Sequence, residues 1–142
     1  MTLADASRIE LLGRCALFVG VDDAGLRVLG SRASEVDFPA NHVIARQGDI
    51  GSGLFVVAEG HVRVVRDGRE LARLGPGDFF GELSVLDRMP RTASVIADGP
   101  TRCLALAAWD FEAAVHESPG VAMAILRGLA ARLRELTESD RH

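Results

Sequence analysis

Between residues 34 and 107 the chain runs as short β-branched and apolar stretches, each closed by glycine, proline, asparagine or aspartate. No other feature of the sequence limits the fold as tightly. Stretches of this length and composition read as strands, and they fall at 35–38, 42–45, 54–58, 61–66, 70–74, 94–97 and 103–107. The turns between them are Pro39-Ala40-Asn41, Gly48-Asp49, Glu59-Gly60, Asp67-Gly68, Gly75-Pro76-Gly77-Asp78 and Asp98-Gly99-Pro100. Asp67-Gly68 is the clearest hairpin signal, because a two-residue link of this kind favours residues that accept positive φ. It separates Val62-Arg63-Val64-Val65 from Glu70-Leu71-Ala72. Many short strands with regular turn spacing predict a sandwich or a jelly-roll barrel.

Helical spacing flanks this block on both sides. Near the start, Ile9, Leu12 and Ala16 share a helical face. Asp22 is placed to cap a helix over 23–29, with Leu26 and Leu29 on one side, and Gly20 and Gly30 are expected to punctuate the region. After Ala108, residues 110–117 read as a helix that Ser118-Pro119 interrupts and restarts, serine as cap and proline in the first helical position. Over 119–140, Ala122, Leu126, Leu129, Leu133 and Leu136 recur at spacings of 4, 3, 4 and 3, a coiled-coil seam. Val121, Ile125 and Ala130 add apolar residues beyond that seam. One face is expected to meet the barrel and the other a partner helix, which predicts a homodimer through the C-terminal helix. The expected architecture is mainly β with flanking helices (α+β): a jelly-roll β-barrel over 34–107, N-terminal helices over 1–33, and two C-terminal helices over 108–142, the last one long. The whole of 1–142 is read as one domain.

Charge and composition narrow the chemistry. A formal net charge of −4 gives no overall attraction to nucleic acid or an acidic membrane, so an anionic ligand must be held locally. All 16 basic residues are arginine, so neither a P-loop lysine nor a lysine Schiff base is available. Cys15 and Cys103 stand far apart in apolar surroundings and are expected to be buried thiols. No apolar run approaches the roughly 20 residues of a membrane-spanning helix, and the opening residues lack a basic region followed by an apolar one. The expected location is cytoplasmic.

Residues 79–95 carry the chemistry: Phe-Phe-Gly-Glu-Leu-Ser-Val-Leu-Asp-Arg-Met-Pro-Arg-Thr-Ala-Ser-Val. Gly81 lets the chain leave a strand, enter a short helix near Glu82, and admit a ligand close to the backbone. A helix start offers unpaired N–H groups and the positive end of a dipole, both suited to an anion. Arg91 follows Glu82 by nine residues, across a turn containing Pro90, and can fold back toward the same point. Its forked donors suit phosphate oxygens, whereas an ionised Glu82 only accepts and so suits a sugar hydroxyl. Either residue alone would read as half of a surface ion pair. Together they suit a ribose phosphate.

The run resembles the phosphate-binding cassette of the cyclic nucleotide-binding domain, as found in protein kinase A regulatory subunits, nucleotide-gated channels and catabolite-activator transcription factors. The likeness rests on Phe80-Gly81-Glu82-Leu83-Ser84, six intervening residues, then Arg91-Thr92-Ala93-Ser94-Val95. Supporting likeness comes from Arg46-Gln47-Gly48-Asp49, Leu54-Phe55-Val56-Val57 with Gly60, and Gly75-Pro76-Gly77-Asp78-Phe79. The resemblance implies that Glu82 binds the ribose 2′-hydroxyl and Arg91 the cyclic phosphate. It implies that Gly81, Leu83, Ser84, Thr92 and Ala93 line phosphate and ribose, and that Val64 and Leu71 form an apolar wall beside the base. In the transcription-factor branch, polar groups near the end of the last helix reach the adenine. Leu136 departs from that pattern, which leaves Thr137 to supply a hydroxyl. The implied ligand is cAMP ahead of cGMP, with no resident cofactor.

The implied function is non-catalytic sensing: ligand binding repacks the C-terminal helices and signals to an effector protein the sequence does not name. A sensor domain of a Crp/Fnr-type transcription regulator without its DNA-binding part is the alternative. No recognition-helix region or basic stripe is visible, so no direct nucleic-acid contact is expected, and Met1 leans toward a stand-alone protein. A cupin-like metal enzyme is disfavoured, because His42, His61, His116 and His142 are scattered and form no metal-ligand spacing. His61 and His116 are expected at the surface or the edge of the core. Ser84 in Gly-Glu-Leu-Ser is no nucleophile elbow.

Overall fold

The computed structural model describes residues 4–51, 53–81 and 88–139. It opens with helix α1 (Asp5–Arg14), a 3-10 turn (Ala16–Phe18) and helix α2 (Asp23–Arg32). Asp22 caps α2 as its position implies, its Oδ1 accepting from the Gly25 amide at 2.8 Å. Gly30 does not punctuate the chain. It lies inside α2, buried, and a Cβ there would make only ordinary contacts with Leu12, Arg8 and Ile9 of α1, beginning at 3.8 Å. The end of α2 is closed from α1 instead, where the Arg8 guanidinium donates to the Gly30 and Ala33 carbonyls at 3.2 and 2.9 Å.

Eight strands follow: β1 (Ser34–Phe38), β2 (Val43–Ala45), β3 (Gly53–Glu59), β4 (Val62–Arg66), β5 (Arg69–Leu74), β6 (Phe79–Phe80), β7 (Ser94–Ala97) and β8 (Thr101–Ala107). They form two four-stranded antiparallel sheets, ordered β1-β8-β3-β6 and β2-β7-β4-β5. Seven strands are legible from the sequence. The eighth, β6, has two residues, too few for a pattern, and exists because Phe79 and Phe80 pair with Val56 and Phe55. Asp67 and Gly68 turn the β4–β5 hairpin at φ 53° and 80°, the two positive values that match the twist of the flanking strands.

Strand patterning explains the layers. In β3, Leu54 and Val56 face one way, into a core shared with Leu104 and Leu106 of β8, Phe18 and both N-terminal helices. Phe55 and Val57 face the other way, toward Ala45, Val62, Phe80, Val95 and Cys103 in the space between the sheets. The first sheet is therefore buried on both faces, and its central strands are almost continuously apolar. In the second sheet β4 is less buried: only Val62 is fully covered, Arg63 to Val65 are half-buried and Arg66 is exposed.

Helices α3 (Ala108–Glu117) and α4 (Pro119–Ser139) close the chain. The first begins two residues before the expected 110, directly on the end of β8. Val121, Ala124 and Ile125 are buried, and α4 packs on the 3-10 turn and α3. Leu126, Leu133 and Leu136 stay 60 to 66% exposed, so only part of the expected seam is covered within the chain. Arg32 ties α2 to α3 through Glu117 at 2.7 Å and Asp110 at 3.3 Å. Both cysteines are buried, and burial pushes the Cys103 thiol up to about 12, which keeps it protonated at neutral pH. Among the described residues no helix is long and apolar enough to cross a membrane.

Candidate functional site

Arg91 is the best-anchored member of the expected cassette. Its amide donates to the Asp49 carbonyl at 2.8 Å, its carbonyl accepts from the Gly48 amide at 2.9 Å, and Pro90 bridges to Ile50. The 46–51 loop that receives it is itself fastened. The Gln47 amide donates to Ser94 Oγ at 2.8 Å, and the Gln47 side chain exchanges two hydrogen bonds with Asp67 at the hairpin tip. A side-chain amide satisfied on both its donor and acceptor ends holds one orientation. The backbone of Arg91 is thereby fixed to the leading end of β3.

The guanidinium lies against glycines. Arg91 Nη2 donates to the Gly53 carbonyl at 3.1 Å. Gly81 comes up from the end of β6 at φ 91°, and a Cβ there would stand 2.6 Å from the Gly53 oxygen and 2.8 Å from Arg91 Nη1. Both the backbone angle and the space demand glycine. Gly51 is buried, and a Cβ on it would clash with the Arg91 guanidinium. Beside this group opens a cleft of about 420 Å³, lined by Ala45, Arg46, Gly51, Phe55, Arg91 and Trp109 among others. Phe55 links the cleft to the space between the sheets, where it stacks on Phe80 at 5.1 Å and meets Phe38 edge-on at 6.2 Å. Arg46 and Arg91 on the lining give the cleft cationic groups, with Asp49 and Asp110 opposing them.

The segment leading to Arg91 also touches the helices. Arg88 Nη2 reaches Glu112 Oε1 of α3 at 2.9 Å. Both side chains are largely exposed, so the pair adds little stability, but it joins the arginine-bearing segment to α3.

Of the site residues expected from sequence, Gly81 and Arg91 are brought together here. Ala93 is half-buried and Thr92 exposed beside Arg91. Glu82, Leu83 and Ser84, with the short helix expected from Glu82, lie outside the described residues. Val64 is half-buried and packs on the core between the sheets. Leu71 is 51% exposed, on an edge strand where the β4–β5 register slips: Val64 faces Ala72, and Val65 faces Glu70. Neither Val64 nor Leu71 lines the cleft beside Arg91. Thr137 is exposed on α4, its hydroxyl donating to the Leu133 carbonyl at 2.9 Å, the usual satisfaction of a mid-helix threonine. His61 and His116 are exposed, and among the described residues no three of His, Cys, Asp and Glu gather where they could hold a metal ion.

Sequence reasoning missed Gly51 and Gly53. Their signal is present in Gly48-Asp49-Ile50-Gly51-Ser52-Gly53, three glycines in six residues, which a turn alone does not require.

Comparison with known proteins agrees with this geometry. The family model of the cyclic nucleotide-binding domain matches residues 35–118. The N-terminal domain of a transcriptional regulator from Streptomyces coelicolor A3(2) superposes with a TM-score of 0.80 at 39% identity, covering 91% of this chain and 93% of that one. The regulatory domain of Toxoplasma gondii protein kinase A, crystallised with cAMP, gives a TM-score of 0.71 at 29% identity over 77% of this chain and 43% of that one. The CRP-like cAMP-activated global transcriptional regulator of Mycobacterium tuberculosis is 35% identical over 130 residues, 88% of this chain. The chain spans 58% of that regulator's length.

Proposed function

The chain belongs to the cyclic nucleotide-binding domain family, and from that premise we propose that it senses cAMP without catalysing a reaction. The observation that carries the reading is the Arg91 guanidinium, held on a glycine surface at the wall of the cleft. A fixed guanidinium presents paired donors to a singly charged cyclic phosphate, each charge-assisted contact worth about 1.5–3 kcal/mol. Glu82 takes the ribose hydroxyl, and Gly81, Leu83, Ser84, Thr92 and Ala93 surround phosphate and ribose. A base that extends past the cleft lining meets Val64 and Leu71 as its apolar wall, and Thr137 reaches it once α4 has moved toward it. cAMP stands ahead of cGMP as the ligand, and the protein acts in the cytoplasm.

Signalling follows from the connection between Arg88 and Glu112. Ligand pulls on the Arg91 segment, and α3 and α4 repack in response. The ligand shifts that equilibrium only by its differential affinity for the two arrangements. The exposed Leu126, Leu133 and Leu136 of α4 form the face of a homodimer, and the helices report to an effector protein through it.

Titration calorimetry with cAMP, cGMP and adenosine tests the ligand. cAMP is expected to bind most tightly and adenosine, which lacks the phosphate, not at all. Equal binding of adenosine and cAMP would remove the phosphate from the account. Light scattering of the Leu133→Glu variant tests the assembly: a dimer in the parent and a monomer in the variant is expected, and a monomeric parent ends the dimer reading.

A further inference from the structure

We infer that Gly51 is a positioning residue for ligand binding: it exists as glycine so that the Arg91 guanidinium has a place to rest. The inference rests on the cyclic nucleotide reading for its functional half and on geometry alone for the other. A Cβ on Gly51 would occupy the space of Arg91 Cζ, Nη2 and Nε together, and no atom of the backbone is among its three nearest neighbours. The two other glycines of the site differ. A Cβ on Gly81 meets the Gly53 backbone oxygen and would strain a positive φ, and one on Gly53 meets only ordinary contacts beginning at 3.6 Å. Gly51 also has no left-handed φ to relieve. Alanine at 51 therefore meets no left-handed φ, and what it meets first is the resting place of the guanidinium.

An arginine end group moves at little cost, because its stem has several rotatable bonds. Such a substitution therefore leaves the fold intact and displaces the cation. Loss of pre-organisation at the phosphate then costs affinity. The displaced group also gives up its contact with the Gly53 carbonyl, now at 3.1 Å.

The test uses the full chain as wild type, Gly51→Ala, Arg91→Ala and the double variant. In nitrogen-15-labelled protein the Arg91 Nε–Hε signal is assigned by its disappearance in Arg91→Ala. In Gly51→Ala that signal is expected to move to the position of the solvent-exposed arginines. The dissociation constant for cAMP is expected to rise about ten- to a hundred-fold, the loss of one charge-assisted contact. The thermal midpoint stays within a few degrees, and adding Gly51→Ala to Arg91→Ala changes nothing further. An unmoved Arg91 signal, or a collapse in stability that persists in the Arg91→Ala background, overturns the inference. Wild-type protein that fails to bind cAMP ends the ligand reading instead, while the arginine signal still decides whether Gly51 positions the guanidinium.

Discussion

Alanine at position 91 is expected to raise the dissociation constant for cAMP by about ten- to a hundred-fold or more, while the thermal midpoint barely moves. The guanidinium supplies the forked, permanently charged donor pair on this wall of the cleft. Its removal leaves a desolvated phosphate short of about 1.5–3 kcal/mol. Stability is insensitive because the backbone bonds of Arg91 to Gly48 and Asp49 do not depend on its side chain. Arg91→Lys is expected to fall between parent and alanine, since an ammonium keeps the charge but loses the fork. Calorimetry on the three proteins checks the order. An alanine variant that binds as the parent does would show that the phosphate lies elsewhere.

The second large effect is on the fold. Phe18 is 1% exposed and sits in the 3-10 turn between α1 and α2, in the core that joins the N-terminal helices to β3, β8 and α4. Phe18→Ala is expected to cost about 3–5 kcal/mol, transfer loss plus the cavity left behind. That lowers the thermal midpoint by on the order of 10 °C. The neighbouring Val19 is 61% exposed, and Val19→Ala is expected to change stability by no more than about 0.5 kcal/mol. Denaturant melts of the two variants separate the readings, because comparable losses would place Phe18 outside the core. The turn also contacts α4, so the damage reaches the helix through which the sensor is proposed to signal.

How far the sequence carried can be judged residue by residue. The hairpin at Asp67-Gly68 and the cap at Asp22 were legible because each is a local pattern with a local cause. The two-residue β6 was not, since its existence depends on a partner strand more than twenty residues away. Gly30 misled for the same reason: glycine in isolation suggests an ending, whereas α2 runs on through it, buried against α1. At the site, Gly81 and Arg91 were legible from charge, spacing and family likeness. Gly51 and Gly53 were not, because a glycine chosen for what its neighbour needs leaves no chemical trace of its own. Which part of α4 stays uncovered also had to be seen in space, the helical period giving the stripe but not where Leu126, Leu133 and Leu136 stand clear of the rest.

The bridge between Ile50 and Pro90 and the two backbone bonds around it hold Arg91 by its main chain. The address of that arginine is written in the loop before β3. An arginine held in this way keeps its backbone position when side chains elsewhere in the cassette change. The proposed grip on phosphate is thus tethered to the frame of the barrel.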